Sequence, residues 1–385
     1  MSKSYLFLTG LVGLVLLTSC DNPRASPETL SVGAQGEQIP EAMVWSVYDI
    51  NSGGYAEAAA VANEMTEEYG TQIRMLPSSS GVGRMMPLYN RDALLGKIGD
   101  EVKFSFEATE EFFDLGWGPQ PMRTIWAPIS PFGFAVRENS PIQSIEEVEG
   151  LRVPMIPGNN SVNIKTEAIL GFGGLSREDV EIVDINSYGG QGEALIQGEI
   201  DVASINPLAG GMFEADSLGG IRWLQMPGDD EERWAQSAEV ADWFFPRELD
   251  NGAGMDGMNE VLGHGYVFAT YEEASTEAIY TFTKALIEQY ENYENATSNM
   301  WTYHPDEVIM NPADTGVPFH EGSIQYFEEA GLWSEEYEQA NKDLLEREEQ
   351  LNEIWEEAKQ VAEAENLTTE EHEQLWLEMK AVLDE

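Results

Sequence analysis

The chain has 385 residues, with 70 Asp and Glu against 20 Lys and Arg, and a formal net charge of -50. This charge argues against binding of nucleic acid or anionic lipid, because both require a basic surface. A hydrophobic content of 42% is that of a globular protein, and the length suits two lobes and a tail. The scarcity of lysine is typical of proteins exposed to concentrated salt, which screens self-repulsion.

The N-terminal sequence predicts a targeting signal followed by a flexible tether. An apolar run from Tyr5 to Leu17 follows a lysine and ends in Leu-Thr-Ser before Cys20. This resembles a bacterial lipoprotein signal peptide, residues 1–19, with Cys20 as the acylated residue; a secretory signal with a chance cysteine is the alternative. Cys20 is the only cysteine, so the sequence excludes an intrachain disulfide. We expect an extracytoplasmic protein, in the periplasm or at the cell surface, held by lipid through a flexible tether, residues 20–39.

A strand, a glycine loop and a helix open the body of the chain. We predict the strand over Ala42–Asp49, the loop over Ile50–Tyr55 and the helix over Ala56–Tyr69, where Gly70 ends it. Backbone amides of a glycine-rich loop at a helix N-terminus can hold an anion, although the spacing is not that of a P-loop. A plain strand-to-helix turn is the alternative interpretation.

The second predicted strand is followed by an arginine whose anionic partner is either a ligand or an acidic side chain of the protein. Gln72–Leu76 is the predicted strand, Pro77–Gly83 is a loop of serines and glycines, and Arg84 lies in or beside the first turn of a helix. A cation is disfavoured there by the helix dipole, so it indicates an anionic partner, and the guanidinium can hold a carboxylate with two bonds. That carboxylate belongs either to a ligand or to an acidic side chain. If it is a ligand's, Arg84→Ala should weaken binding and leave folding almost unchanged.

Two stretches follow one plan. Leu88–Phe106 predicts a helix, a turn at Gly96–Asp100 and a strand up to its end. Tyr188–Pro207 predicts a loop, a short helix, a turn and the strand Ile200–Ile205. Since a proline stops this strand, Asn206 falls at the carboxyl edge of a sheet, which is where ligands bind in open α/β folds. Repetition of the plan indicates two similar α/β lobes that face each other.

The connections between the lobes can also be predicted. Thr124–Val136 reads as strands with a proline-rich join, which is the first crossover. Val261–Phe268 reads as a strand that returns to the first lobe. We therefore expect lobe one to comprise residues 40–130 and 262–333, and lobe two to comprise residues 131–261.

Residues 334–385 predict a helical hairpin appended to the lobes. Leu344, Leu351 and Ala358 recur every seven residues and form a helical seam, and Thr368 or Thr369 caps a second helix. Three roles remain open for this tail at the level of sequence: packing on the body, self-association or contact with a partner.

Five sequence segments, taken in chain order, resemble the TAXI group of solute-binding proteins, which serve TRAP transporters. The most discriminating is Val317–Trp333, VPFHEGSIQYFEEAGLW; the helical tail is not part of the usual pattern. The others are Ile50–Tyr55, Ser144–Asn163, Gly174–Ile185 and Glu193–Asn206. The resemblance implies a two-lobed α/β fold of the type II periplasmic-binding-protein kind, with hinge strands, closure on a ligand, and delivery of that ligand to a membrane permease. It also implies a small carboxylate such as glutamate or 2-oxoglutarate, or another amino acid.

The candidate ligand contacts are mostly polar residues of the predicted loops. In lobe one they are Asn51, Ser52, Gly53, Gly54, Tyr55, Ser79, Ser80 and Arg84, and in lobe two they are Asn159, Asn160, Ser161, Tyr188 and Asn206. Glu107 and His264 are expected near the hinge. Polar side chains with backbone donors can bind a diacid or a zwitterion without chemistry.

Other classes of protein remain as alternatives. An enzyme is disfavoured because none of the four histidines pairs at metal-ligand spacing and there is no Gly-x-Ser-x-Gly elbow. We therefore expect no catalytic residue, metal or cofactor. A binder that serves an ABC importer or a sensor, and a structural lipoprotein that acts through its helical tail, are the remaining readings.

Overall fold

The computed structural model describes residues 39–50 and 52–384. The predicted signal peptide, nearly all of the tether, Cys20 and the candidate contact Asn51 lie outside these residues. The strands, in chain order, are β1 Ala42–Val47, β2 Gln72–Pro77, β3 Leu95–Ile98, β4 Met122–Trp126, β5 Ile129–Arg137, β6 Arg152–Met155, β7 Glu181–Asp184, β8 Ala203–Ile205, β9 Ile221–Trp223, β10 Phe245–Leu249, β11 Asn259–Gly265 and β12 Val267–Tyr271.

The α-helices of the described residues surround these strands. In chain order they are α1 Gly53–Tyr69, α2 Gly81–Tyr89, α3 Glu101–Glu107, α4 Glu111–Asp114, α5 Asn160–Phe172, α6 Gln191–Gln197, α7 Gly210–Gly219, α8 Glu231–Ala238, α9 Thr276–Glu288, α10 Tyr290–Tyr293, α11 Pro312–Thr315, α12 Glu321–Ala330, α13 Glu335–Glu365 and α14 Thr369–Ala381. No helix of the described ranges is long and apolar enough to cross a membrane.

Lobe one is built on a five-stranded sheet of order β2-β1-β3-β12-β4. β1 is parallel to β2 and to β3, with Trp45 opposite Met75 on one side and Leu95 on the other. β12 is antiparallel to both of its neighbours. Because β1, β2 and β3 run in the same direction, the loops that follow them meet at one edge of the sheet.

Lobe two carries a second sheet of order β10-β11-β5-β8, with β9 also beside β5. β6 and β7 form a separate parallel pair that lies beside it, where the amide of Asp201, just before β8, donates to the carbonyl of Arg152 at 3.0 Å. Each lobe encloses its own core of buried apolar side chains. The protein therefore has the two-lobed α/β architecture that the sequence predicts.

Two strands lead from one lobe to the other. β5 follows β4 after the two residues Ala127 and Pro128, and β12 follows β11 after the single residue Tyr266. The two crossings lie side by side, since Tyr266 N donates to Pro128 O at 2.9 Å and His264 is paired with Ser130 in the antiparallel register. This pair of crossings is the hinge of the molecule.

The C-terminal helices form the predicted hairpin, and they pack on lobe one. Leu351, Trp355 and Trp376 are buried in the core of that lobe, and Trp376 Nε1 donates to Ala108 O at 2.9 Å. A Cβ added at Gly118 would lie 2.5 Å from the indole nitrogen of Trp355, so the helix fits only against glycine there. Of the roles left open by the sequence, the structure shows packing on the body.

One prediction of local structure is wrong. The stretch Leu88–Phe106 was expected to run helix, turn, strand, whereas Leu95–Ile98 is the strand β3 and Glu101–Glu107 is the helix α3. The alternating apolar residues Val102, Phe104 and Phe106 favoured a strand, but nearly the whole of α3 is buried. A helix covered on all sides has no polar face, and its sequence pattern then resembles that of a buried strand.

Candidate functional site

A cavity of about 470 Å³, including its mouth, lies between the lobes beside the hinge. Both lobes and both hinge strands contribute to its wall. The lining residues are Tyr48, Ser52, Gly53, Gly54, Glu57, Gly99, Ser130, Phe132, Ser161, Val162, Lys165, Tyr188, Asn206, His264 and Tyr266.

The N-terminus of α1 supplies one wall of the cavity. Ser52 caps the helix, because its side chain accepts a hydrogen bond from Tyr55 N at 3.0 Å. The first amides of a helix have no partner within it, so Gly53 and Gly54 offer donors at the positive end of the helix dipole. A Cβ added at Gly54 would lie 2.3 Å from the hydroxyl of Tyr266, so only glycine allows the hinge tyrosine to approach.

A buried acid and a buried base lie beneath this wall. Glu57, one turn into α1, accepts hydrogen bonds from Asn299 Nδ2 at 2.9 Å and from the Tyr303 hydroxyl at 3.1 Å. Lys97 on β3 lies 3.9 Å from the same carboxylate and above the ring of Tyr266. Burial raises the pKa of Glu57 and lowers that of Lys97 to about 7, while the opposite charge of each partner resists both shifts.

The N-terminus of α5 supplies the facing wall, and a second ion pair holds it. Lys165 on α5 donates to the carboxylate of Asp100, which follows β3, and also to Ser161 O at 2.7 Å. Ser161 Oγ donates to the same carboxylate at 2.9 Å, as does Trp243 Nε1. Burial would raise the pKa of Asp100, but Lys165 and these donors together hold it below its usual value.

Polar residues of the hinge and of lobe two close the site. Asn206 Nδ2 donates to Ser130 Oγ at 2.9 Å, and the Tyr188 hydroxyl accepts from Asn206 N at 2.9 Å. His264 Nδ1 lies 2.8 Å from Gly265 O, and because a carbonyl can only accept, the proton is on Nδ1. Burial, with Lys165 nearby, lowers the pKa of His264 to about 3, so the ring is neutral at pH 7.

Eight of the fifteen residues proposed from the sequence as ligand contacts are brought together here. Seven of them line the cavity, namely Ser52, Gly53, Gly54, Ser161, Tyr188, Asn206 and His264. The eighth, Asn159, lies just behind the wall, where its Nδ2 donates to the Tyr48 hydroxyl at 2.7 Å and to Ser79 O at 3.0 Å.

The other candidate residues are placed elsewhere by the structure. Tyr55, Ser79, Ser80 and Asn160 do not line the cavity; Ser80 instead caps α2, and Asn160 Nδ2 donates to Glu110 across the seam between the lobes at 3.1 Å. Asn51 lies outside the described residues.

Arg84 does not hold the position expected of a ligand clamp. Its guanidinium is fully buried, forms an ion pair with Glu101 and lies 3.7 Å from the centre of the Tyr48 ring. The anionic partner that the helix position demanded is therefore an acidic side chain of the same lobe. The helix α3, which the sequence pattern read as a strand, is what brings Glu101 there.

Glu107 is not near the hinge. It binds the helical tail, with Arg347 Nε at 2.7 Å and Lys380 Nζ at 2.8 Å from its carboxylate. Burial alone would raise its pKa, but these two cations hold it at about 2. The helical tail therefore supplies both cationic partners of Glu107.

Eight lining residues were not predicted as ligand contacts, namely Tyr48, Glu57, Gly99, Ser130, Phe132, Val162, Lys165 and Tyr266. Two of them, Tyr48 and Lys165, had a signal in the sequence. Tyr48 directly follows β1 and therefore falls at the ligand edge of the sheet, whereas Gly99 follows β3 in a segment that the sequence predicted to be a turn. Glu57 and Lys165 each lie one turn inside a helix that begins at the cleft. Lys165 is also a lysine within an apolar helix of a chain poor in lysine. For Glu57, nothing in so acidic a sequence marked it out.

The geometry forms a cleft between two α/β lobes, beside the strands that join them. Within residues 39–50 and 52–384, no cluster of His, Cys, Asp or Glu is arranged to hold a metal ion. The chain belongs to the NMT1-like family, which it matches over residues 53–331. No curated protein matches the chain in sequence.

Solved structures with a related course of the chain include three binding proteins. One is the periplasmic aliphatic sulphonate binding protein SsuA from Escherichia coli (16% identity, TM-score 0.43, covering 75% of this chain and 79% of that one). Another is the alkanesulfonate-binding protein SsuA from Xanthomonas axonopodis pv. citri bound to MOPS (14%, 0.43, 78% and 98%). The third is the GluR0 ligand-binding core from Nostoc punctiforme in complex with (L)-glutamate (12%, 0.40, 66% and 96%).

Proposed function

We propose that this protein is an extracytoplasmic receptor that captures a small carboxylate solute between its lobes and hands it to a membrane transporter. The observation that carries the proposal is the cavity beside the hinge, to which both lobes contribute a helix N-terminus. Rotation about β5 and β11 would open such a cavity to solvent and close it over a solute.

The charges of the wall favour a carboxylate. The N-termini of α1, with the amides of Gly53 and Gly54, and of α5 present the positive ends of their helix dipoles to the cavity. Lys165, which is paired with Asp100, is the cationic side chain among the described lining residues. In a chain of net charge -50, an anion can be held only where such local groups reverse the general field.

The wall also offers an acceptor for an amino group. Glu57 lines the cavity, and its carboxylate has room for more than the bonds that it accepts from Asn299 and Tyr303. Glutamate, 2-oxoglutarate and related acids or amino acids are therefore the solutes to test first.

A thermal-shift screen tests the capture of a solute. The panel contains glutamate, glutamine, 2-oxoglutarate, C4-dicarboxylates and alkanesulfonates, in molar salt. A ligand at about a hundred times its dissociation constant stabilises the folded protein by about 2.7 kcal/mol, which raises the melting temperature. If no member of the panel shifts the melting temperature, and if the purified protein carries no bound solute by mass spectrometry, the proposed function is wrong.

We further propose that the receiving transporter is of the TRAP type and that acyl chains on Cys20 hold the receptor at the membrane. The proposed transporter is supported by the segment Val317–Trp333, which contains the whole of α12. The proposed anchor is supported by the residues before Cys20. Uptake of solute into vesicles that depends on a sodium gradient would support a TRAP partner. Uptake that depends on ATP would instead identify an ABC importer.

A further inference from the structure

We propose that Asp100 is a latch that holds the two lobes closed, and that it does so through Lys165, the cation of the cavity wall. Asp100 lies at the end of β3 in lobe one, whereas Lys165 and its other side-chain partners belong to lobe two. Closure of the lobes and placement of the cavity's cation are then a single event.

Asp100 contacts the other lobe through both its carboxylate and its backbone. Its Oδ2 accepts from Lys165 Nζ and from Ser161 Oγ (2.9 Å), its Oδ1 accepts from Trp243 Nε1 (2.9 Å), and its backbone N donates to Ser161 Oγ at 3.2 Å. Asp100, Ser161 and Lys165 are each no more than 5% exposed. Charge-assisted hydrogen bonds of this kind, shielded from water, are the strong ones.

The backbone beside the latch is shaped for close approach. A Cβ added at Gly99 would lie 2.5 Å from Ser161 Oγ, so the two lobes could not come this close with any other residue at position 99. Gly99 does not have a positive φ. Its lack of a side chain therefore serves the contact between lobes rather than a turn of the backbone.

The latch needs no contribution from a solute. Every partner of Asp100 named above belongs to the chain itself, and together they satisfy both oxygens of its carboxylate. In an open cleft Asp100 and Lys165 would each be separated from its partner. We therefore expect the closed form to be the main form of the protein before any solute binds, and the solute to enter through a minor open population.

A second pair across the same seam provides a matched control. Lys103 of lobe one lies 3.9 Å from Asp242 of lobe two, but the side chain of Asp242 is 80% exposed. Exposed ion pairs contribute little, so loss of this carboxylate should leave the lobes closed. Asp100→Asn and Asp242→Asn remove the same charge from the same seam and differ in burial.

Measurement of the distance between the lobes tests whether Asp100 holds them closed. Cys20 is the chain's only cysteine, so the substitution Cys20→Ser gives a cysteine-free protein. Spin labels are then attached at Glu67→Cys on α1 and at Leu218→Cys on α7, two exposed positions. Double electron–electron resonance is recorded without added solute. We expect the short distance to dominate in the otherwise unchanged chain and in Asp242→Asn. In Asp100→Asn we expect the ratio of closed to open forms to fall about tenfold or more.

Two results would overturn the latch. One is a dominant long distance in the chain with an intact Asp100, and the other is the same distance distribution in Asp100→Asn as in its control. If Asp100→Asn does not fold, Lys165→Met provides the second test from the other lobe, with the same expected opening. The outcome does not depend on which solute the protein binds, so the latch and the proposed function can fail separately.

Discussion

Removal of the indole of Trp376 from the helical tail should destabilise lobe one as strongly as truncation of a large side chain in the core of that lobe. Trp376 is fully buried although it belongs to α14, which follows the two lobes in the chain. Its ring meets that of Trp355 edge to face, with centroids 5.0 Å apart and an interplanar angle of 87°. Its Nε1 donates to Ala108 O, at a residue whose φ of 49° places it in the left-handed region.

The size of the effect follows from these contacts. Truncation of a buried tryptophan to alanine costs about 3–5 kcal/mol in lost burial and cavity formation. The variant Trp376→Ala also leaves the carbonyl of Ala108 without its donor, which places the expected loss toward the upper end of that range. Leu377 is the matched control, because it is the next residue of α14, 43% exposed, and its replacement by alanine should change stability by no more than about 0.5 kcal/mol.

Urea unfolding followed by circular dichroism in molar salt measures both variants. Hydrogen exchange of α13 and α14, detected by mass spectrometry, then shows where protection is lost. We expect Trp376→Ala to lower the urea midpoint and to expose both helices to exchange, and Leu377→Ala to resemble the unchanged chain. If the two variants were equally stable, the tail would not be part of the core of lobe one, and the structural account of its docking would be refuted.

Three further predictions concern the ion pairs and the seam. Arg84→Ala should destabilise the fold by about 3–5 kcal/mol in urea unfolding, because it leaves the buried carboxylate of Glu101 without its cation. Gly99→Ala should weaken binding of whichever acid the thermal-shift screen identifies, measured by titration calorimetry, because the new methyl group collides with Ser161. Stability should fall as the pH drops from the usual range of a glutamate toward about 2, since the pKa of Glu107 is depressed in the folded state, and Glu107→Gln should flatten that part of the profile.

Each of these predictions has a control and a contrary outcome. Replacing both partners, as Arg84→Met with Glu101→Gln, should restore much of the stability, and an Arg84→Ala variant as stable as the unchanged chain would mean that the pair is not buried. Gly210→Ala meets nothing within 4 Å, so binding lost equally there would show that the effect of Gly99→Ala is not steric. If Glu107→Gln left the dependence of stability on acid pH unchanged, the ion pairs of Glu107 would not contribute to the docking of the tail.

The positions of backbone elements around the cleft could be predicted from the sequence because each rests on a local signal. Ser52 followed by two glycines marks the start of a helix after a strand, and Asn206-Pro207 marks the end of a strand. Polar residues at those points fall at the ligand edge of a sheet whatever the rest of the chain does. This is why Ser52, Gly53, Gly54, Ser161 and Asn206 were predicted and found in the wall.

The partners of charged side chains could not be predicted in the same way. Arg84 needed an anion, and the sequence offers 70 acidic residues among which no local rule chooses. The choice of Glu101 depends on α3 lying beside α2, and the choice of Arg347 and Lys380 for Glu107 depends on the tail folding back over more than two hundred residues. Both are consequences of tertiary packing, which the period of a short segment does not encode.

The scarce cations nevertheless carry information that the abundant acids do not. Of the 20 Lys and Arg, Lys97 lies in the middle of β3, whose four residues are all buried, and Lys165 lies within an apolar helix. A buried ammonium is costly unless it is paired, so each of these positions demands a buried acid nearby. The acids turn out to be Glu57 and Asp100, and both pairs lie at the cleft. In this protein, two of the few lysines therefore mark the cleft, whereas the abundant carboxylates do not.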